Sequence, residues 1–167
     1  MKIEHVVLAV KIVRRGTILD ALHEISSGSV RLDVPKGFRC NDLLREPLWE
    51  RYEGDWLYKR TLGLASLQEK MTRRDFYRKL GEDDYYPASF SEAMAYLLVL
   101  KERGVAVGNV LHLGTILRSE EYMEGRLLTK PSGAVEFVPF YPATRLGPSY
   151  SIVVVRAERR NAEWLKK

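Results

Sequence analysis

Apolar and polar residues alternate imperfectly from residue 2 to residue 13, with Val6, Leu8, Val10 and Ile12 on one side and Val7 and Ala9 on the other. This predicts a strand buried on much of both faces. Arg14-Arg15-Gly16 breaks the run, and Thr17-x-x-Asp20 reads as a capping box, in which short oxygen-bearing side chains take up free helix amides. The period then changes. Ile18, Ala21, Leu22 and Ile25 fall at i, i+3, i+4 and i+7, a core-facing helical stripe that Gly28 is placed to stop. Val30, Leu32 and Val34 alternate as a second strand, ending at the Pro35-Lys36-Gly37 turn.

The middle third carries weaker patterns: residues 41–49 read as a short helix, and Trp56 and Tyr58 alternate with their neighbours over 55–59. Thr72-x-x-Asp75 opens another helix, with Phe76, Tyr77 and Leu80 inward and Gly81 just past its end; the acidic, aromatic stretch 82–87 reads as a loop. Ser89-x-x-Glu92 begins the clearest helix, with Phe90, Ala93, Met94, Leu97 and Leu100 or Lys101 at helical spacing and Gly104 as its stop. Beyond it short strands follow at 105–107, 110–113, 115–117, 126–129, 135–138 and 151–156. Lys130-Pro131-Ser132-Gly133 makes a hairpin turn, since proline presets one backbone angle and glycine accepts a positive φ. The whole predicts an α+β fold: a single compact domain over 1–156, with short helices packed on an antiparallel or mixed β-sheet, and a charged helix or tail over 157–167. A capped helix, a glycine stop and a valine strand occur twice. This admits a duplication of 1–60 and 85–156 beside the plainer reading that such units are common.

Composition narrows the class. A chain of 167 residues with 46% hydrophobic content is long enough for one core. No run approaches the roughly 20 apolar residues of a membrane span, and residues 1–4 lead straight into a strand pattern without the features of an export signal. A cytoplasmic protein is expected, in host cytoplasm if the origin is viral. Cys40 is the sole cysteine, which excludes a disulfide framework and a multi-thiolate zinc site. The 27 Lys and Arg against 22 Asp and Glu give +5, a mild bias toward anionic partners such as nucleotides or nucleic acid.

Catalytic spacings are missing. There is no phosphate-binding glycine loop, no nucleophile elbow and no His-Glu-x-x-His. His5, His23 and His112 are scattered in predicted elements, and Cys40, near Arg39 and Arg45, reads first as a packed thiol. The pairs Asp83-Asp84 and Glu120-Glu121 read as solvated charge. No catalytic residue, metal or cofactor is therefore expected, and the reading is of a binding protein rather than an enzyme. Two basic clusters remain: Lys70, Arg73, Arg74, Arg78 and Lys79, interleaved with Phe76 and Tyr77, and Arg156, Arg159, Arg160, Lys166 and Lys167 at the end. Either can neutralise phosphates, and either can equally be the wet side of a helix.

Residues 89–155 resemble the small domains of phage Thoeris anti-defence proteins, which sequester cyclic nucleotide signals. The family pattern F-x-x-A-L, a short helix, then L-K-x-G-x-x-V is met by Phe90, Ala93, Met94, Leu100, Lys101, Gly104 and Val107, with a two-residue insertion. The pattern V-P-W-x-P-S, D-L-L, D-W and a valine-rich strand is met by Val138-Pro139-Phe140-Tyr141-Pro142-Ala143, Leu146, Tyr150 and residues 152–155. The chain departs from it in lacking a tryptophan after the glycine-valine strand, in Arg145-Leu146 for D-L-L, and in Ser149-Tyr150 for D-W. The resemblance implies a non-enzymatic viral sponge for a cyclic nucleotide or cyclic ADP-ribose-type signal, oligomeric, without metal. An aromatic face, a hydroxyl and a cation for such a ligand stand together in Tyr141, Thr144 and Arg145, with Asn109 and His112 as weaker candidates. The alternative is a basic nucleic-acid-binding protein of viral or mobile-element origin using residues 73–79 or the tail. The 126–129 segment, read as a short edge strand, suggests pairing with a symmetry mate, hence a homo-oligomer and most simply a dimer.

Overall fold

A computed structural model of the chain describes residues 1–11, 17–26, 31–33, 59–118, 124–141 and 143–157. Expectations placed on residues 12–16, Gly28, Val30, residues 34–37, Cys40, the 41–49 and 55–58 segments, Glu120-Glu121 and the tail from 158 lie outside these residues. The described strands are β1 (Lys2–Lys11), β2 (Leu32–Asp33), β3 (Lys59–Ser66), β4 (Met71–Thr72), β5 (Tyr85–Pro87), β6 (Val110–Arg118), β7 (Glu124–Thr129), β8 (Val135–Pro139), β9 (Arg145–Leu146) and β10 (Ser151–Arg156). The helices are α1 (Ile18–Ser26), α2 (Arg73–Glu82) and α3 (Phe90–Glu102). The fold is α+β, as its sequence pattern predicts.

Each helix starts where its cap chemistry lies. Asp20 accepts from the amide and the hydroxyl of Thr17, both at 2.8 Å, and the amide bond first among these holds its carboxyl below the usual range. Thr72 donates its hydroxyl to Asp75 at 2.6 Å and accepts the Asp75 amide at 3.1 Å. Ser89 and Glu92 form a full capping box, and Thr115 takes the adjacent Phe90 amide at 2.9 Å. The stops differ from one another. α3 ends in a Schellman turn, with Gly104 at φ +68° and the amides of Gly104 and Val105 returning to Lys101 and Leu100. α2 runs through Gly81 to Glu82, and it is Asp84, at φ +59°, that takes the left-handed position expected of the glycine. Tyr77 is also corrected: it is 39% exposed, because one residue is a 100° step around the helix from the buried Phe76–Leu80 stripe.

Seven strands lie in the order β1-β3-β10-β6-β7-β8-β2, and β5 pairs with β10 off that path. The β6–β10 and β2–β8 pairs are parallel and the others antiparallel, so the sheet is mixed. Its alternating side chains feed two cores. Leu62, Leu64, Val110, Leu127, Val135, Val153 and Val155 cluster with α1 and α3, through Leu22, Phe90, Met94 and Leu97. Ala65, Leu111, Leu113, Leu128, Ile152 and Val154 cluster with Phe76 and Leu80 of α2 and with Met71, Phe140 and Leu146. A separate ribbon, β4 antiparallel to β9, lies on this second side with Met71 opposite Leu146 and Thr72 opposite Arg145.

Four strand expectations change. Residues 105–107 are not a strand; they follow the Schellman turn across the end of α3. Residues 110–113 and 115–117 belong to one strand, β6, whose register shifts between His112 and Leu117 around Gly114. The 82–87 loop contains β5, held by β10 at Val154, Val155 and Arg156. The segment 126–129 is no edge: β7 is paired on both sides, by β6 and β8, which removes the edge-strand ground for a dimer and leaves the one implied by the anti-defence resemblance. The 130–133 hairpin is present, with Gly133 at φ +80°.

β6 meets β10 at Ser151 and Val110 alone, and past that point the two strands part. The β5–α3 junction occupies the gap: the Ala88 amide donates to Val153 O at 2.9 Å, and Thr115 holds Phe90. A Cβ on Gly114 would lie 2.6 Å from the Ala88 carbonyl carbon and 2.9 Å from Pro87 O, so only glycine fits under this wedge. In open sheets the cleft between diverging strands is a usual ligand site. Here the chain's own backbone fills it.

Candidate nucleic-acid interface

The β4–β9 pairing joins two segments more than seventy residues apart. Met71 and Leu146 are buried beneath the ribbon, and their neighbours Thr72 and Arg145 face outward. Continuing the register sets Lys70 beside Gly147, and a Cβ on Gly147 would meet Lys70 Cγ at 3.4 Å. The chain passes from Thr72 directly into α2, so Arg73 and Arg74 rise from the ribbon's end. The Arg73 guanidinium carbon stands 5.6 Å from the centre of the Phe140 ring. Lys70, Arg73 and Arg145 are therefore gathered around the ribbon, and Arg74 follows one helical step on from Arg73.

Their charges are unequally compensated. Arg78 is bracketed by Asp75 at 3.5 Å and Glu82 at 3.4 Å, so it belongs to an exposed helix network. Arg73 approaches Glu124 at 3.8 Å. Among the described residues no carboxylate pairs with Lys70, Arg74 or Arg145. The Thr72 hydroxyl bond holds the Asp75 carboxyl low, which keeps the cap of α2 closed on itself. The positive charge of the surface lies in its side chains.

Tyr141 stands at the edge of this surface, 62% exposed, the most exposed large hydrophobic residue among those described. Thr144 explains its position. The Thr144 hydroxyl accepts the Tyr141 amide at 2.9 Å and the Thr144 amide returns to Tyr141 O at 2.9 Å. Its hydroxyl is thus committed to closing the turn that lifts Tyr141, while Phe140, one residue earlier, turns inward and is 4% exposed. Tyr141, Thr144 and Arg145 are brought together, as their spacing suggests.

Asn109 and His112 lie elsewhere. Asn109 uses its carbonyl to accept the Ser151 amide at 2.8 Å, fastening β6 to β10. His112 is 2% exposed on the α3 side of the sheet, edge-on to Phe90 with ring centres 4.6 Å apart and Nε2 2.8 Å from Thr129 Oγ1. Burial lowers its pKa to about 3, so it stays neutral, and Nδ1 has no hydrogen-bond partner. The sheet separates it from Phe140 and the ribbon.

One residue escaped the sequence reading. Arg126, 2% exposed, lies on the inward parity of β7 and places its guanidinium carbon 5.1 Å from the Phe140 ring centre, with Nη1 donating to Gly125 O at 3.1 Å. Phe140 is therefore approached by two guanidinium groups and becomes the floor of the basic surface. The available signal was a cation beside Leu127 and Leu128, at a parity that the apolar pattern assigns to the core.

Among the described residues, no group of three or more His, Cys, Asp or Glu is placed to hold a metal, and no helix is long and apolar enough to cross a membrane. No protein-family model, curated protein or solved structure matches the chain.

Proposed function

We propose that the chain is a non-enzymatic nucleic-acid-binding protein that takes a single strand across the β4–β9 ribbon and the first turn of α2. One observation carries this reading: the Thr72–Arg145 pairing brings Arg145, four residues after the exposed Tyr141, beside the distant segment that carries Lys70, Arg73 and Arg74. Cations that track a backbone and an aromatic face that stacks a base are what sequence-tolerant single-strand binding requires. The surface is open, which suits a polymer better than a small ligand that must be enclosed.

Fluorescence anisotropy with labelled single-stranded oligonucleotides tests it. If four cations each meet a phosphate, log K against log salt has a slope of about −3 for a single strand. Arg74→Ala combined with Arg145→Ala brings the slope to about half that. No binding at low salt, or a slope unchanged in the double variant, refutes the proposal. Sequestration of a cyclic nucleotide signal, the reading implied by the anti-defence resemblance, gives the contrasting result. A thermal shift with a cyclic dinucleotide or cyclic ADP-ribose isomer, together with weak, non-specific oligonucleotide binding, would favour the sponge.

A further inference from the structure

On the opposite face of the sheet, the residues after the Schellman turn of α3 arch over a cavity of about 370 Å³. Leu97, Val105, Val107 and Val110 form apolar walls, and Thr129, Lys101 and Lys130 supply the polar part of the lining. Both ammonium groups are anchored. Lys101 donates to the carbonyls of Glu24 and Ile25 at the end of α1, and Lys130 is paired with Glu136. Their charges are therefore fixed at the rim, and little ordering remains for a ligand to impose. Thr129 is 2% exposed, and its hydroxyl lies 2.8 Å from His112 Nε2. With hydrogen on Nε2, His112 donates to Thr129 and leaves Nδ1 a bare acceptor, a cheaper orphan than a buried N–H. Thr129 then keeps its own proton for a second acceptor. These walls offer no aromatic face and little polarity for a nucleotide, so the occupant differs in kind from the ligand of the basic surface.

We propose that this cavity is a binding site for a small aliphatic carboxylate, its chain against Leu97, Val105, Val107 and Val110 and its head group between Lys101 and the Thr129 hydroxyl. At roughly 30 Å³ for each water-sized group, the cavity holds about a dozen non-hydrogen atoms, the size of decanoate. Titration of the full chain with decanoate and with decanol, followed by methyl NMR and calorimetry, tests the site. Decanoate is expected to shift the Leu97, Val105, Val107 and Val110 methyls saturably, with decanol about tenfold weaker for want of one charge-assisted bond. Lys101→Met should bring decanoate down to the affinity of decanol. Val107→Trp should fill the space and abolish both, with the Leu111 and Leu113 methyls of the other face reporting that it folds. The absence of saturable shifts in the unsubstituted protein, equal affinity for decanol and decanoate, or undiminished binding by folded Val107→Trp would each overturn the proposal.

Discussion

Replacing Gly114 by alanine adds a single methyl group at the place where the sheet is wedged open. That carbon would meet the main chain of Ala88 and Pro87 at 2.6 and 2.9 Å, with the Ala88 oxygen closer still. No side chain can rotate out of the way, so the β5–α3 junction itself must shift. Two bonds fasten that junction, Ala88 N to Val153 O and Phe90 N to Thr115 Oγ1, and both are 2.9 Å long. Ala88 and Phe90 beside them are 2% and 1% exposed. Overpacking of this kind costs about 1–3 kcal/mol, and losing the two bonds adds about 1 kcal/mol each. The sum of about 3–5 kcal/mol corresponds to a fall in Tm on the order of 10 °C for a chain of this size. Urea denaturation measures it directly. Gly81→Ala is the control, since a Cβ there meets nothing within 4 Å inside α2 and should stabilise by up to about 1 kcal/mol. A Gly114→Ala protein within about 0.5 kcal/mol of the original, the ordinary surface-mutation range, would show that the wedge is not tightly seated.

His112 should make stability pH-dependent. Its folded pKa of about 3 lies below the unfolded value of about 6.5. The unfolded chain therefore binds the extra proton, and stability falls as pH drops from 6.5 toward 3. Between pH 7.5 and 5 the loss is about 2 kcal/mol, and urea titrations of His112→Leu should lack this component; an identical pH profile would contradict it. Tyr96→Phe removes the 2.7 Å bond from the Tyr96 hydroxyl to His5 O, the tie between α3 and the irregular part of β1. A loss of about 1–2 kcal/mol is expected, and an unchanged midpoint would mean that water replaces the bond freely. Tyr141→Ala should leave the melting temperature within about 1 °C, because the ring is 62% exposed. The same substitution should weaken single-strand binding by about 1–3 kcal/mol if the ring stacks a base, and undiminished anisotropy titrations would exclude stacking.

What was legible in the sequence was local. All three described helices open on Thr17, Thr72 and Ser89 because a capping box needs only a hydroxyl and a carboxylate three residues apart. The 130–133 hairpin is likewise fixed within a few residues. The misreadings arise where a distant partner decides. Residues 85–87 are a strand because β10 offers an edge, and residues 126–129 lie inside the sheet because β6 and β8 both return to them. The site divides in the same way. Tyr141, Thr144 and Arg145 sit together because one turn and one strand carry them, whereas the adjacency of Arg145 to Lys70 and Arg73 depends on pairing across the chain. His112 looks like any polar candidate until its neighbours Phe90 and Thr129 enclose it.

The place of β10 in the sheet sets a condition on biosynthesis. It is the last described strand to leave the ribosome, and it alone connects β3 on one side with β5 and β6 on the other. Until residue 156 has been made, β1 and β3 form one fragment and β6, β7 and β8 another, with apolar edges facing each other and nothing between them. From the end of β8 at Pro139 to Arg156, a nascent chain made at 5–20 residues per second holds that state for roughly 1–3 seconds. The sheet therefore cannot close until β10 has been made, and the strands on either side of it keep their backbone groups unpaired until then.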